Sequence, residues 1–223
     1  MDARYLRNIP ALTEGECTLL GTKKVAVIGC GGLGGHIIEL LARIGVGSIT
    51  VVDGDVFEQT NLNRQLLSET ALLGSSKAKA AADRIARINP DVQVRTEAVF
   101  LDEGNAADLI ADCDAVLDAL DSIEARKILA QACTDAGIPL IYGAIRGWVA
   151  QAAVSLPGDG LMDKLYPAGT VIRDKSVLSF TPALCASMQA ALCVRLLTGH
   201  PVQSGILLYF DLLNQEFEEI PLV

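Results

Sequence analysis

The sequence predicts an α/β fold of the Rossmann-like kind: a mostly parallel sheet with helices on both faces and an antiparallel C-terminal part. Three observations predict it. The run VAVIGCGGLGG at 25–35 is a hydrophobic strand that breaks into glycines and reopens as a helix. Short apolar runs then alternate with stretches of helical periodicity as far as Tyr142, and after Trp148 hairpin-like segments replace that alternation.

The elements follow in order. Lys24–Ile28 reads as a short buried strand, and 34–44 as a helix with apolar residues at Ile37, Leu40, Leu41 and Ile44 before the stop signals Gly45 and Gly47. Ser48–Val52 closes a βαβ unit. A helix over 75–89, a strand over 92–98, a helix over 105–112 and a strand over 115–119 continue the pattern. A helix over 124–136 and a strand over 139–142 complete the parallel part, and 148–156 reads as one more strand. The polar, Gly- and Pro-containing stretch 157–180 reads as a loop long enough to be functional. Thr181-Pro182 has the form of a hydroxyl cap followed by proline at the first helical position, for a helix running to Thr198 and ended by Gly199. The segments 206–211 and 216–220 form a hairpin around Asn214-Gln215. No repeat or low-complexity tract interrupts the plan.

Length and composition bound the function. At 223 residues the whole chain, 1–223, reads as one domain that buries a core without disulfides or metals. Although 51% of residues are hydrophobic, no run approaches the ~20 uninterrupted apolar residues of a membrane span. The N-terminus MDARYLRNIP lacks the apolar core of a signal peptide, so a soluble cytoplasmic protein with no membrane partner is expected. The six cysteines are dispersed without a CxxC pair, which suggests neither a disulfide framework nor a structural zinc. A net charge of −9 disfavours nonspecific binding to nucleic acid or acidic membranes.

The glycines Gly29, Gly31, Gly32 and Gly34 fit G-x-G-x-x-G, a turn whose backbone N–H groups hold phosphate at a helix N-terminus. Asp53, after the second strand, stands where an acidic residue binds ribose hydroxyls. These two features alone fit a dinucleotide dehydrogenase, and Gly-rich turns without ligands also exist. The residues beyond Asp53 argue for a triphosphate instead. VVDGDVFEQTNLNRQLL supplies Asp55, Asn61, Asn63, Arg64 and Gln65, and GSSKAKA adds Lys77. Cleavage at an α-phosphate requires cations on the departing pyrophosphate and a carboxylate to hold Mg²⁺. VLDALDS offers Asp118 and Asp121 at the carboxyl end of a strand, where ligands of open α/β sheets bind.

With these motifs in order, the chain resembles the ThiF/MoeB/HesA family, relatives of the ubiquitin-activating enzymes. The resemblance covers nearly the whole sequence: RYLRNI at 4–9, GCGGLG, DGDVFEQTNLNRQ, Lys77, INP at 88–90, LDALDS, IPLIYGAI and the final helix. It implies Mg·ATP as cofactor and adenylation of the C-terminal glycine of a small ubiquitin-fold carrier ending in Gly-Gly, such as ThiS or MoaD. It also implies roles: Gly31 and its neighbours against the nucleotide, Asp53 on the ribose, Arg64 and Lys77 on the phosphates, Asp121 on the metal, and Asn61, Asn63 and Gln65 in support. Arg7 is similar to an arginine that family members donate to the partner subunit's ATP site, which implies a homodimer. Each residue also has a plainer reading: Arg7 and Arg64 as surface ion pairs, Lys77 as a solvated lysine, Asp121 as a cap for the helix near Glu124. Trp148 reads as packed against the sheet, and His36 and His200 as structural or surface residues. Asp118 reads as a supporting group.

The chain departs from its family in two respects. Many members carry two zinc-binding CxxC pairs and many a cysteine in the loop crossing the active site, but 152–184 contains no cysteine here. No zinc is therefore expected, and sulfur is expected from a separate persulfide donor. Cys185 and Cys30 read as inert buried thiols. Ser122 stands where the family often has Asn. Two rival functions remain: a tRNA-modifying ATP-dependent dehydratase of the same superfamily, which would show a basic RNA-binding surface, and an NAD-dependent oxidoreductase, which would need a separate substrate domain.

Overall fold

The computed structural model describes residues 2–171 and 174–222. The chain runs α1 (Glu14–Leu20), β1 (Lys24–Ile28), α2 (Gly32–Ile44), β2 (Ser48–Val52), α3 (Lys77–Ile88), β3 (Gln93–Glu97), α4 (Ala106–Ile110), β4 (Ala115–Asp118), α5 (Ile123–Ala136), β5 (Leu140–Arg146), β6 (Val149–Ser155), α6 (Leu161–Leu165), α7 (Phe180–Leu197), β7 (Ile206–Asp211) and β8 (Glu216–Pro221). Short 3-10 turns lie at Ala3–Asn8, Gln59–Asn61 and Thr70–Leu72.

One eight-stranded sheet takes the order β3-β2-β1-β4-β5-β6-β7-β8. The pairs from β3 across to β5 are parallel, and those from β5 to β8 antiparallel, as the sequence predicts. Alternation along each strand splits the core in two. Val25 and Val27 of β1 pack with Ile37, Leu41, Ala81 and Cys193 on one face, whereas Ala26 and Ile28 pack with Leu109, Leu129 and Met162 on the other. The chain order reverses at β1, which has β2 on one side and β4 on the other. Ile28 is aligned with both Val52 and Asp118, so the carboxyl ends of β1, β2 and β4 finish at one level. Ligands of open α/β sheets bind in the crevice at such a reversal.

Several expectations are corrected. No element was expected before residue 24, yet α1 begins with a capping box in which Thr13 and Glu16 satisfy each other's backbone N–H groups. Residues 157–180 are not one structureless loop: α6 buries Leu161 and Met162, and the Tyr166 hydroxyl is 2.7 Å from that of Tyr142 in the core. Positions 172 and 173 of that stretch lie outside the described residues. The final helix is not capped by Thr181. It starts at Phe180, and Thr181 is fully buried with its hydroxyl donating to the Gly147 carbonyl at 2.8 Å, a partner that tertiary packing supplies and local sequence does not reveal. Trp148, expected against the sheet, is 42% exposed and lies against Phe180 at the start of α7, the ring centroids 5.1 Å apart and the rings tilted by 51°. The cap of α5 is Ser122, whose hydroxyl accepts from the Ala125 N–H, and not Asp121. By length and composition α7 alone among the described helices would pass for a membrane span. Its buried Gln189, bonded to carbonyls of β4 and β5, marks it as a core helix of this sheet.

Candidate functional site

Close packing builds the glycine turn. Gly29 has φ +101°, and a Cβ there would lie 2.6 Å from the Ala119 carbonyl oxygen beyond β4. A Cβ on Gly34 would lie 1.7 Å from the Gly29 carbonyl oxygen, so the strand can turn directly beneath α2 only without side chains. Gly31 is the N-cap of α2 and supplies no side-chain bond, which leaves the first N–H groups of a 13-residue helix open at the strand ends. Gly32 lies against Pro182 of α7, and Gly31 against the carboxamide of Gln65.

Asp53 ties the end of β2 to this turn. Its Oδ2 accepts from the Cys30 N–H at 2.7 Å and its Oδ1 from the Asp55 N–H at 2.8 Å. Burial pushes its carboxyl above the usual range, although those two N–H bonds and the charge of Lys77 oppose the rise. Lys77, at the start of α3, is nearly buried, and its Nζ is 3.1 Å from Asp55 Oδ2.

The segment 58–65 closes the next side. Asn61 is buried and its Oδ1 accepts from the Glu58 N–H, so this residue shapes the turn. Arg64 donates from Nη1 to the Thr60 carbonyl at 2.8 Å and to Asn63 Oδ1 at 3.0 Å. The other end of Asn63 donates to the Val177 carbonyl at 3.4 Å, linking this segment to the stretch that precedes α7. Gln65 is buried, and its Oε1 has no hydrogen-bond partner among the described residues.

Asp121 is exposed two residues beyond Ala119, at the end of β4. Among the described residues no group of three or more His, Cys, Asp or Glu could hold an ion alone. The fit of Asp121 to a cation rests on its being an exposed carboxylate beyond β4, since Mg²⁺ is commonly bound by one or two carboxylates together with substrate phosphates. Behind Asp121 lies a polar network that the sequence reading missed. Arg126 is buried and paired with the fully buried Asp118 at 2.8 Å, and Gln189 donates to the carbonyls of Asp118 and Ile141 at 2.8 and 3.1 Å. The available signal was position: Arg126, Leu129 and Cys133 share the inward face of α5, where an arginine is out of place unless paired.

Contacts at the strand ends thus join the glycine turn to Asp53 through the Cys30 N–H, to Gln65 at Gly31 and, through Asp55, to Lys77, while Asp121 follows two residues after Ala119, which lies against Gly29; Arg7 does not join them. Tyr5 lies against Gly45, at the C-terminal end of α2, and its hydroxyl accepts from Asn89. Arg7 therefore belongs to the opposite end of α2 from Gly32, about 18 Å along the axis at 1.5 Å per residue. It is exposed there.

No thiol serves the crevice. Cys30 and Cys185 are fully buried; burial holds the first well above its ordinary pKa and pushes the second up to about 12. Cys185 instead lies 3.2 Å from the Gln151 carbonyl.

The chain matches the ThiF family over residues 4–222. It is 36% identical over 228 residues to the SAMP-activating enzyme E1 of Haloferax volcanii, covering 98% of this chain and 84% of that protein. It is 34% identical to the sulfur carrier protein adenylyltransferase of Thermus thermophilus, covering 88% and 77%. Some relatives are longer: the chain spans 59% of the probable adenylyltransferase/sulfurtransferase MoeZ of Mycobacterium tuberculosis. The Escherichia coli protein MccB, solved with ATP, has a TM-score of 0.84 over 100% of this chain and 72% of that one at 20% identity, a likeness of fold.

Proposed function

Because the chain belongs to the ThiF family, we propose that it adenylates the C-terminal glycine of a small ubiquitin-fold carrier protein, using ATP and releasing pyrophosphate, in the service of sulfur transfer. The observation that carries this reading is the uncapped N-terminus of α2 at the Gly29–Gly34 turn, tied through Asp53 and Asp55 to the buried Lys77 at the same strand ends. The names of the relatives support the choice of substrate.

A carrier carboxylate is already ionised at neutral pH, so its oxygen attacks the α-phosphorus without a general base. The bond to the β-phosphate oxygen breaks, and an acyl-adenylate and pyrophosphate result. The chain's own residues position and neutralise. The N-terminus of α2 faces the phosphates, Asp53 holds the turn and reaches the ribose, and Arg64 and Lys77 receive the charge that develops on pyrophosphate. Asp121, with the phosphates, would hold Mg²⁺, which when bound withdraws charge from the departing pyrophosphate.

Arg7 acts in trans in this reading, completing the crevice of a second copy. An apolar groove of about 560 Å³ lined by Leu12, Leu40, Ile44 and Val194 lies beside the Arg7 segment and offers a face for that homodimer. With Cys30 and Cys185 buried, sulfur comes from a separate persulfide donor: its outer sulfur attacks the activated carbonyl and expels AMP, and a second thiol of that donor cleaves the resulting acyl disulfide to leave the carrier thiocarboxylate and a donor disulfide. The test is ATP–pyrophosphate exchange with a carrier ending in Gly-Gly. Exchange should require the carrier and its terminal glycine; tight NAD binding with no ATP binding would overturn the reading.

A further inference from the structure

The strand end that carries Asp121 is held on every side except at Asp121 itself. The Ala119 N–H donates to the Ile28 carbonyl at 3.0 Å, and the Leu120 N–H to Asp118 Oδ1 at 2.9 Å. The Leu120 carbonyl, the other half of the peptide that enters Asp121, accepts from Arg126 Nη2. The same guanidinium donates from Nη1 to Asp118 Oδ2 and to the Gly143 carbonyl of β5, each at 2.8 Å. Its carbon lies 5.2 Å from the Tyr142 ring centroid. Ser122 then caps α5, from which Arg126 itself projects.

Arg126 is the only group in this set that joins three separate pieces of chain: β4, β5 and the turn after β4. A planar fork can do this, and a point charge cannot, because the bonds run to acceptors in different directions. A role in stability alone would be met by the pair with Asp118. The bond to Leu120 adds something else, since it fixes the plane of the Leu120–Asp121 peptide and so the direction in which Asp121 leaves the backbone.

We propose that Arg126 is a positioning residue for the metal-binding carboxylate, setting the orientation of Asp121 through the Leu120 carbonyl. This deepens the adenylation reading and rests on it. Groups that orient a metal ligand without touching the metal are commonly worth about 10–100-fold in metal affinity.

The probe is Mn²⁺, its affinity measured by electron paramagnetic resonance in the presence of a non-hydrolysable ATP analogue, on full-length wild type, Arg126→Lys, Arg126→Gln and Asp121→Asn. Arg126→Lys keeps a charge facing Asp118 but loses bonds to the Gly143 and Leu120 carbonyls, so urea unfolding of each variant is read alongside, and only variants that remain folded are scored. The expected result is Mn²⁺ affinity lowered about tenfold or more in both Arg126 variants, with analogue affinity in EDTA within about twofold of wild type. Wild-type Mn²⁺ affinity in Arg126→Lys, or in Arg126→Gln, overturns the proposal. Asp121→Asn separates the two levels. If it leaves Mn²⁺ affinity unchanged, the assignment of Asp121 fails; if it weakens Mn²⁺ while the Arg126 variants do not, only the positioning role fails.

Discussion

Replacing Lys77 separates a structural from a catalytic role, because the structure bounds the first. Its partner Asp55 is 55% exposed while Lys77 itself is 8% exposed, so the ion pair at 3.1 Å is open to water on one side. Such pairs contribute about 0–1 kcal/mol to stability, and the buried aliphatic stem adds about 1 kcal/mol. Lys77→Ala should therefore cost about 1–2 kcal/mol of folding free energy, and Lys77→Met, which keeps an apolar stem, about 1 kcal/mol or less. A preorganised donor aimed at developing charge contributes about 2.7–4 kcal/mol to the barrier, a factor of about 100–1,000 in rate. Urea unfolding followed by circular dichroism gives the first quantity and carrier-dependent pyrophosphate exchange the second. The reasoning predicts that both variants lose the same large factor in kcat/KM although they differ in stability. If Lys77→Met keeps activity within about tenfold of wild type, Lys77 is only the partner of Asp55 and the phosphate assignment is wrong.

Arg7→Ala and Arg64→Ala chains, each inactive alone, should recover activity when mixed, since one crevice of the heterodimer then has both arginines; a fully active monomer in sedimentation would refute this. Cys185→Ala should retain pyrophosphate exchange and, with sulfide supplied, carrier thiocarboxylate by mass spectrometry, because the thiol is buried and its pKa is pushed up to about 12; loss of thiocarboxylate in a folded variant that still binds ATP would make Cys185 a relay. Glu39 gives a pH dependence. Burial alone would raise its carboxyl, but bonds from Arg84 and Arg43 hold it below its ordinary 4.5. A carboxyl lowered in the folded state contributes stability that is present above its unfolded pKa and lost as pH falls through the folded value. The stability gap between wild type and Glu39→Gln should therefore narrow from neutral pH to below about pH 4; a constant gap in urea midpoints would show that the contribution is not ionic.

The parallel half of the fold was legible because periodicity and burial agree there: β1, β2 and β4 are short apolar runs and α2 repeats apolar residues at helical spacing, and all four are buried as those patterns predict. What escaped was set by distant partners. Thr181 looks like a cap until the Gly147 carbonyl is known to face it, and Trp148 looks like core until its contact with Phe180 at the surface is seen. Leu161-Met162 is too short an apolar run to declare a helix, and only the Tyr142–Tyr166 contact shows why that stretch folds back. The capping box of Thr13 and Glu16 was readable and overlooked. The site residues were proposed because motif spacing places them at strand ends, whereas Arg126 and Gln189 lie behind those ends and carry no motif of their own.

The cations assigned to the phosphates rest on partners that water also reaches. Lys77 rests on the half-exposed Asp55, and Arg64 on the Thr60 carbonyl and the exposed Asn63. These partners are solvated, and exchanging them for phosphate oxygens leaves no buried charge uncompensated. Asp53 differs, because both its oxygens already accept backbone N–H groups, so it holds the turn in shape before a ribose arrives. The Asp118–Arg126 pair differs again, since it is fully buried and breaking it would strand a charge in the core. The crevice therefore combines a rigid floor with cations on exchangeable partners. In the proposed adenylation that division would serve preorganised charge stabilisation: the floor would fix where charge develops, and the cations on exchangeable partners would follow the phosphates. Gln65 is the exception, a buried side chain whose Oε1 has no partner among the described residues.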